Sequence, residues 1–262
     1  MKLSLSTLGC PGWSWNEIFA TAKDLGMNGI EVRGVANEMF APAISVFNQG
    51  KRMEPLERIE KSGMQLSMLT SGACLGGADS DKYMQEAKAY IDFAEIVKSP
   101  YVRVMVSSVP QPTGKEDLAQ TRELYAQLCA YAEGKEVKVL ETNGALANSQ
   151  ALAQMMRTIH SPSSGVLWDI HHPYRFYHET PKETYENLKD WICYLHVKDS
   201  VMKDGQVEYR MMGEGDLPIR EMMMALRSIC YEGYISLEWV KRWCPDLQEP
   251  GIVFSHFTSY MR

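Results

Sequence analysis

Four of the six histidines lie within one stretch of the chain, residues 166–199. Two short apolar runs in this stretch carry or precede side chains that bind metals or transfer protons. Asp169 and His172 follow the first run, whereas His196 stands in the second run and Asp199 lies just after it. A polar, Glu- and Lys-rich segment between the runs has the pattern of an amphipathic helix. Strand, helix and strand, with reactive side chains at the strand ends, are typical of a parallel α/β protein whose site lies at the carboxyl ends of its strands.

The elements that must position these side chains repeat along the whole chain. Short apolar strand patterns end near residues 6, 33, 70, 106, 141, 169, 197 and 239, at intervals of roughly 30 to 40 residues. Each interval contains one helix pattern, as a βα unit requires. In a chain of 262 residues, eight such units predict a single-domain (β/α)8 TIM barrel over residues 1–262 rather than an open doubly wound sheet.

Metal-competent side chains end four consecutive strand patterns, from the fifth to the eighth: Glu141, Asp169, His196 and Glu238. In a barrel these strand ends surround one rim, so residues far apart in the sequence converge. Each residue alone has an ordinary structural explanation, because an acid at a strand end often caps the following helix and a histidine in an apolar run is often a hydrogen-bonded core residue. Their coincidence on four adjacent strands favours a functional site.

This series resembles the sugar phosphate isomerase/epimerase family of xylose isomerase-like barrels. The resemblance is carried by VLETNG on the fifth strand, D-x-x-H after the sixth, H-V-K-D on the seventh and the glutamate that ends the eighth, and the order of elements extends it over the whole chain. The residues that it implies as ligands of one divalent metal are Glu141, Asp169, His196 and Glu238. It also implies that the two glutamates act as catalytic acid and base. His172 matches a substrate-binding histidine of the family, and His171 is the alternative residue for this role.

These residue types suit the isomerisation or epimerisation of a ketose, which requires a proton to leave the carbon beside a carbonyl. A divalent metal on the carbonyl oxygen and the neighbouring hydroxyl would stabilise the enediolate by several kcal/mol. A positioned carboxylate base adds roughly 10²- to 10⁴-fold in rate. We therefore expect a divalent-metal-dependent isomerase or epimerase of a small sugar or keto-polyol, with proton transfer through a metal-bound enediolate.

The donor set also indicates which metals suit the site. Three carboxylates and one imidazole are oxygen-rich and moderately hard, which favours Mn²⁺ or Mg²⁺ and also admits Zn²⁺ or Co²⁺. A structural zinc site is disfavoured, because no cysteine lies near these positions in the sequence.

Two polar residues that follow His196 in the sequence are candidates for the same site. Lys198 shares the strand parity of His196, so it would point toward the site and bind substrate if the strand continues. A salt bridge with Glu238 or Asp199 is the alternative. Asp199 is expected to orient the side chain of His196 or Lys198 without itself contacting the metal or the substrate.

Aromatic and charged residues near other strand ends were considered as substrate contacts. Trp15 and Trp239 offer flat faces for stacking on a sugar ring, although core packing is the more frequent explanation. The charges of Glu31, Arg33 and Arg103, on the second and fourth strands, are interpreted as an interior ion-pair network rather than as substrate contacts, since charges inside a barrel need partners.

Composition restricts the partners and the compartment. The chain has 27 Lys and Arg against 33 Asp and Glu, a net charge of −6 without a basic run, which argues against nucleic acid. It has no apolar stretch of membrane-spanning length, and the first residues lack the apolar region of a signal peptide. Six scattered cysteines without C-x-x-C predict free thiols in a reducing cytoplasm. The irregular segment Gly34–Gly50 is a candidate contact of a homo-oligomer.

Three other functions were weighed. A metal-dependent dehydratase of a keto-inositol or sugar acid is the alternative, because the same enediolate can expel a β-hydroxyl, and nothing in the sequence separates the two reactions. Endonucleases that share this barrel need further His and Asp ligands on the third and fourth strands, where this chain has Thr70-Ser71 and Val106-Ser107-Ser108. A non-catalytic ligand-binding barrel is disfavoured, because all four metal ligands are present.

Overall fold

The computed structural model describes residues 1–142 and 144–262, and over these ranges eight parallel strands close into a barrel. The barrel strands are β1 Lys2–Ser6, β2 Gly29–Val32, β3 Gln65–Cys74, β4 Tyr101–Met105, β5 Lys138–Thr142, β6 Ser164–Asp169, β7 Ile192–Val197 and β10 Tyr234–Leu237. An antiparallel hairpin, β8 Asp199–Lys203 and β9 Gln206–Arg210, lies between β7 and β10. The closed order β1-β10-β7-β6-β5-β4-β3-β2 confirms the predicted (β/α)8 barrel.

Helices follow the strands and pack their apolar faces against them. They are α1 Trp15–Asp24, α2 Met53–Lys61, α3 Ser80–Val97, α4 Leu118–Ala132, α5 Ser149–Met156, α6 His171–Tyr177, α7 Pro181–Leu188, α8 Ile219–Ser228 and α9 Pro250–Met261. The start of α1 shows how the sequence determines them. The Ser14 hydroxyl accepts from the Glu17 N–H, and the Glu17 carboxylate accepts from the Ser14 N–H, 2.7 Å away. This capping box satisfies backbone donors that the first turn would leave unpaired.

Residues from opposite sides of the barrel close its interior below the site. The Tyr194 hydroxyl on β7 lies 2.8 Å from the Ser67 hydroxyl on β3, and these two strands are not neighbours in the sheet. An apolar layer separate from the main core surrounds this contact: Met68, Leu140, Leu167, Tyr194 and Tyr234. A solid floor of this kind leaves the carboxyl ends of the strands as the open end of the barrel.

Two elements were not predicted. Helix α6 directly follows β6, where the sequence His-His-Pro has no helical apolar spacing. The hairpin β8–β9 lies between the seventh and eighth predicted strands, where no further strand was predicted. Its turn is Asp204-Gly205 with positive φ at both residues (50° and 76°), and Asp-Gly between two strand-like runs is a known hairpin signal that could have revealed it. Within the irregular segment 34–50, buried Ala41 and Phe47 attach two short 3₁₀ turns to the core.

The cysteines are free, as expected. Cys10, Cys74 and Cys129 are buried, and Cys230 is exposed. Burial raises the pKa of Cys10 and of Cys129 to about 12. No helix in the two described ranges is both long and apolar enough to cross a membrane.

Thiol labelling tests this arrangement. At about pH 8 we expect Ellman's reagent to modify Cys230 rapidly, because the reagent reaches an exposed thiol and does not reach a buried one. Replacing Cys230 with serine should remove the fast phase and leave the buried thiols reactive only after unfolding. A fast phase of unchanged amplitude in that variant would contradict the burial pattern.

Candidate active site

Three of the predicted metal ligands converge at the carboxyl ends of β6, β7 and β10. Asp169, His196 and Glu238 each offer one ligand atom, and these atoms all lie within 4.8 Å of one another. His196 Nδ1 is 3.3 Å from Glu238 Oε1 and 4.0 Å from Asp169 Oδ2. Strand register produces this convergence, since Asp169 is paired with His196 across β6 and β7, and Ser236 is paired with His196 across β7 and β10.

The ammonium group of Lys198 lies between the two carboxylates. Lys198 Nζ contacts Asp169 Oδ2 and is 2.6 Å from Glu238 Oε2. The salt bridge with Glu238 that the sequence offered as an alternative is therefore present, whereas the second partner is Asp169 and not Asp199. The ammonium group of Lys198 is a cation held at the point where the carboxylate and imidazole donors converge. This indicates that the same set of donors suits a metal ion.

Opposite charges hold these carboxyl groups in the ionised form. Burial raises the pKa of Glu238, but the charges of Lys198 and His196 outweigh it and lower the pKa below its usual value. The pKa of Asp169 is lowered in the same way, because His172, Lys198 and His196 together outweigh burial. Both side chains thus remain acceptors at neutral pH.

Glu31 on β2 orients His196, a role that the sequence analysis did not assign. His196 Nε2 is 2.9 Å from Glu31 Oε2, and the other oxygen of Glu31 accepts from Ser6 (3.0 Å) and Thr70 (2.9 Å). Burial raises the pKa of Glu31, but the charge of His196 and hydrogen bonds that include those from His196 and Thr70 lower it to about 2. Because an ionised carboxylate only accepts, the Nε2 proton is directed to Glu31 and Nδ1 faces the other ligands. The expected interior network therefore exists around Glu31.

Asp169 acts both as a helix cap and as a member of the cluster. Its Oδ1 accepts from the backbone N–H groups of His171 (2.9 Å) and His172 (3.3 Å), while its Oδ2 faces Lys198. The turn directs His172 into the cavity, where its Nδ1 is buried and has no hydrogen-bond partner in the described ranges. Burial lowers the pKa of His172 to about 4, so its ring is neutral at neutral pH. His171 instead stacks on Tyr209, 5.6 Å away, and bonds to Ser200.

Glu141 is not brought into the cluster. It is fully buried, and within the described part of the chain neither carboxylate oxygen has a hydrogen-bond partner. Its neighbours explain this orientation: Leu140 belongs to the interior layer and Thr142 lines the cavity, so the side chain between them points to the other face of β5. Burial raises the pKa of Glu141 well above its usual value, and the charge of Arg103 offsets this only in part.

Asp199 orients a loop and does not contact His196 or Lys198 through a hydrogen bond or ion pair in the described ranges. Its carboxylate accepts from the backbone N–H groups of Gly213 (2.9 Å), Gly215 (3.0 Å) and Leu217 (3.3 Å). A Cβ atom on Gly215 would lie 2.0 Å from Asp199 Oδ1, so only glycine fits. Asp199 was predicted to orient His196 or Lys198. In the structure it instead holds residues 213–217 beside the hairpin.

The cluster forms part of the wall of a cavity of about 470 Å³. Of the tryptophans proposed to contact substrate, Trp15 packs on Phe47 at a ring distance of 4.9 Å, and Trp239 Nε1 donates to the Gln248 carbonyl. Both are buried in the core and do not line the cavity. Trp243, which is 59% exposed, does line it, together with Tyr209 of the hairpin.

A second cavity of about 580 Å³ lies at the opposite end of the barrel and is lined by residues that include Lys2, Gln65 and Tyr234. The clusters of potential metal ligands within the described ranges are elsewhere, around Asp169. We therefore place the candidate site at the carboxyl ends of the strands, where barrel enzymes carry their active sites.

Residues 19–253 match the protein family described as xylose isomerase-like TIM barrel. The chain belongs to this family. Among curated relatives, fructoselysine 3-epimerase of Shigella flexneri is 24% identical over 254 residues, which cover 92% of this chain and 90% of the relative. This xylose isomerase-like barrel also resembles two solved structures. The IOLI protein with a bound zinc atom has a TM-score of 0.81 at 14% identity, covering 100% and 97% of the two chains. A probable 3-DHS dehydratase, AsbF, from Bacillus anthracis has a TM-score of 0.79 at 16% identity, covering 100% and 98%.

These comparisons confirm the predicted family and an enzyme of the isomerase and epimerase class. The described residues contain a possible metal site in Asp169, His196 and Glu238. Glu31 was missed as the partner of the histidine ligand, although its inward parity on β2 was noted. The signal that could have identified it is a carboxylate on a strand across the barrel from a histidine ligand.

Replacing Glu31 with glutamine should weaken metal binding. The variant keeps the shape of the side chain but loses the charge that orients and polarises His196, so we expect Mn²⁺ affinity to fall about 10- to 100-fold. Calorimetric titration with Mn²⁺ measures this, and exposed Glu123, replaced with glutamine, is the matched control. The pKa of His196, followed by NMR in the metal-free protein, should also fall. Unchanged affinity and an unchanged His196 pKa would refute the role of Glu31.

Glu141 should make the stability of the metal-free protein depend on pH. Because its pKa is raised on folding, the folded state retains a proton that the unfolded state loses above pH ~4.5, and stability falls as the pH rises from that value toward the raised pKa. The Glu141→Gln variant lacks this proton and should unfold at a higher Tm than the wild type at about pH 8, with a smaller difference near pH 5. Thermal unfolding at both pH values measures the effect. An equal or lower Tm at the higher pH would contradict the burial of an unpaired carboxyl group.

Proposed function

We propose that this barrel is a sugar epimerase or isomerase that moves a proton on and off the carbon beside a ketone carbonyl. The observation that carries the proposal is the convergence of Asp169, His196 and Glu238 in one polar cavity at the carboxyl ends of the strands. The similarity to fructoselysine 3-epimerase supports the same chemistry. A small ketose or keto-polyol is the substrate class in this proposal.

Asp169, His196 and Glu238 would hold one divalent metal, with Mn²⁺ or Mg²⁺ favoured by two carboxylates and Zn²⁺ or Co²⁺ also compatible with the imidazole. When bound, the metal would polarise the substrate carbonyl and the adjacent hydroxyl. His196 must present an unprotonated Nδ1 to it, which the proton directed toward Glu31 permits. With the charges of Asp169 and Glu238 balanced by the metal, Lys198 would be free to donate a hydrogen bond to a substrate oxygen.

Glu238 is the proposed base. It lines the cavity and its lowered pKa keeps it ionised, so it can accept a proton from a substrate carbon held above it. A carboxylate bound to a cation is a weaker base, which requires one oxygen to remain free for the substrate. Neutral His172 lines the same cavity, and its Nδ1, which is 3.6 Å from Asp169 Oδ2, has no hydrogen-bond partner within the described ranges, so it would orient a substrate hydroxyl.

Glu141 is the proposed second proton carrier and the fourth metal ligand. Glu141 does not line the cavity, so this role requires the end of β5 to turn its side chain inward. The resemblance of VLETNG to the family motif supports the assignment.

A dehydratase is the second candidate, and the similarity to the probable 3-DHS dehydratase favours it specifically. Both reactions begin with loss of the proton beside the carbonyl. They differ in whether the proton returns to carbon or a β-hydroxyl leaves. A product lighter by one water identifies the dehydratase.

Incubation with a panel of ketoses, keto-inositols and hydroxy-keto acids in D₂O tests both reactions. We expect NMR to show solvent deuterium at a carbon beside the carbonyl of one substrate class in the Mn²⁺-loaded protein. Glu238→Gln should slow this exchange by about 10²-fold or more, because the base is lost. Glu141→Gln should lose net conversion to product, because the proton is not returned to the opposite face.

The Glu123→Gln variant serves as the control for both substitutions. Wild-type exchange in Glu238→Gln would overturn the assignment of the base. Wild-type conversion by Glu141→Gln would remove Glu141 from the reaction. No exchange with any member of the panel, in protein that binds Mn²⁺, would overturn the proposed reaction class.

A further inference from the structure

Two arginines line the cavity on the side that the reaction proposed above does not use. Arg33 follows β2 and Arg103 lies on β4, and β3 runs between these two strands. Arg103 is 6% exposed and Arg33 is partly buried. Both side chains line the same cavity as Asp169 and Glu238.

Neither guanidinium has a carboxylate within 4.0 Å among the described residues. Arg103 Nη2 donates to the Ser71 carbonyl (3.0 Å), but its buried Nε has no partner there. The side chain of Arg33 makes no hydrogen bond within the described ranges. The ion-pair network expected for these residues therefore includes Glu31 but neither arginine.

Carboxylates near the arginines are engaged elsewhere. Glu86 accepts from the Gly72 N–H at 2.7 Å, and Glu238 is paired with Lys198. Glu141 does not line the cavity that the two arginines line. Burial and the positive charge of Arg103 lower the pKa of Arg33, and the charges of Glu86 and Glu238 offset this only in part.

The charge of the whole cavity leads to the same conclusion. Its lining has three cations, Arg33, Arg103 and Lys198, against two carboxylates, Asp169 and Glu238, a difference of +1. A divalent metal would add +2 and its proposed fourth ligand, Glu141, would contribute −1, which leaves about +2. Buried charge of one sign is costly unless it is paired. A neutral sugar would leave this positive charge uncompensated, whereas an anionic substrate would neutralise the part located at the arginines.

We propose that Arg33 and Arg103 form an oxyanion subsite that binds a carboxylate or phosphate group on the substrate of this barrel. The proposal rests on the proposed function only in placing the sugar portion of the substrate at Asp169, His196 and Glu238. Guanidinium groups suit both anions, because their planar donors match two oxygens at once. The substrate class is thus narrowed to acidic sugars: sugar acids, sugar phosphates or sugars linked to an amino acid.

A matched set of three-carbon probes separates the two anions: glycerol 3-phosphate, D-glycerate and uncharged glycerol. Binding to the full chain is measured by calorimetry, in the metal-free and the Mn²⁺-loaded protein. We expect one or both anions to bind and glycerol not to bind. Arg33→Met and Arg103→Met should each weaken the anion about 10- to 100-fold, the typical contribution of a hydrogen bond to a charged group. Arg103→Lys keeps the positive charge but loses the planar pair of N–H donors, so it should lose part of this affinity.

Exposed Arg227, replaced with methionine, is the matched control and should leave anion binding unchanged. Thermal unfolding and Mn²⁺ titration of each variant distinguish a lost subsite from a damaged fold, because Arg33 and Arg103 are not proposed ligands. If the wild type binds neither anion more tightly than glycerol, or if both methionine variants bind anions as the wild type does, the subsite does not exist. Anion binding by a protein that fails to bind Mn²⁺ would overturn the proposed reaction and leave the subsite standing.

Discussion

The open end of the barrel depends on negative charge that Asp169 and Glu238 bury together. Two carboxylates this close repel strongly in a medium of low polarity, so each requires a cationic partner. Lys198 and His196 supply these charges in the metal-free protein, and Glu31 in turn fixes His196 from the far side of the barrel. Closure of the sheet is what makes the arrangement possible, since β2, β6, β7 and β10 each contribute one or more of its members.

A second set of contacts shapes the cavity around this cluster. Asp199 gathers backbone N–H groups from residues 213–217, which holds that loop beside the hairpin β8–β9. Tyr209 of the hairpin stacks on His171, whose backbone N–H donates to the Asp169 carboxylate. The cavity wall and the Asp169 carboxylate are therefore linked through one short turn. A change in the hairpin would be transmitted to Asp169 through His171.

The sequence predicted the barrel and three members of the cluster because strand ends and side-chain types are local features. Asp169, His196 and Glu238 each follow an apolar run whose inward parity continues to the reactive residue. Glu141 failed this test: Leu140 and Thr142 face the interior, and the resemblance could not reveal the parity of the residue between them. The partners of Glu31, Arg103 and Asp199 depend on distances across the barrel or along a loop, which spacing in the sequence does not determine.

Local rules are broken in one sector of the barrel, where Arg33 follows β2 and Arg103 lies on β4. These are buried or partly buried ionisable groups without a charged partner within the described ranges, and a folded protein normally avoids them. Elsewhere in the cavity every charge is paired. Unpaired charge confined to one wall of a cavity is what a site prepared for a charged ligand would show, because the ligand supplies the missing partner. The paired charges at β6, β7 and β10 then select the reaction, and the unpaired charges opposite them select the substrate.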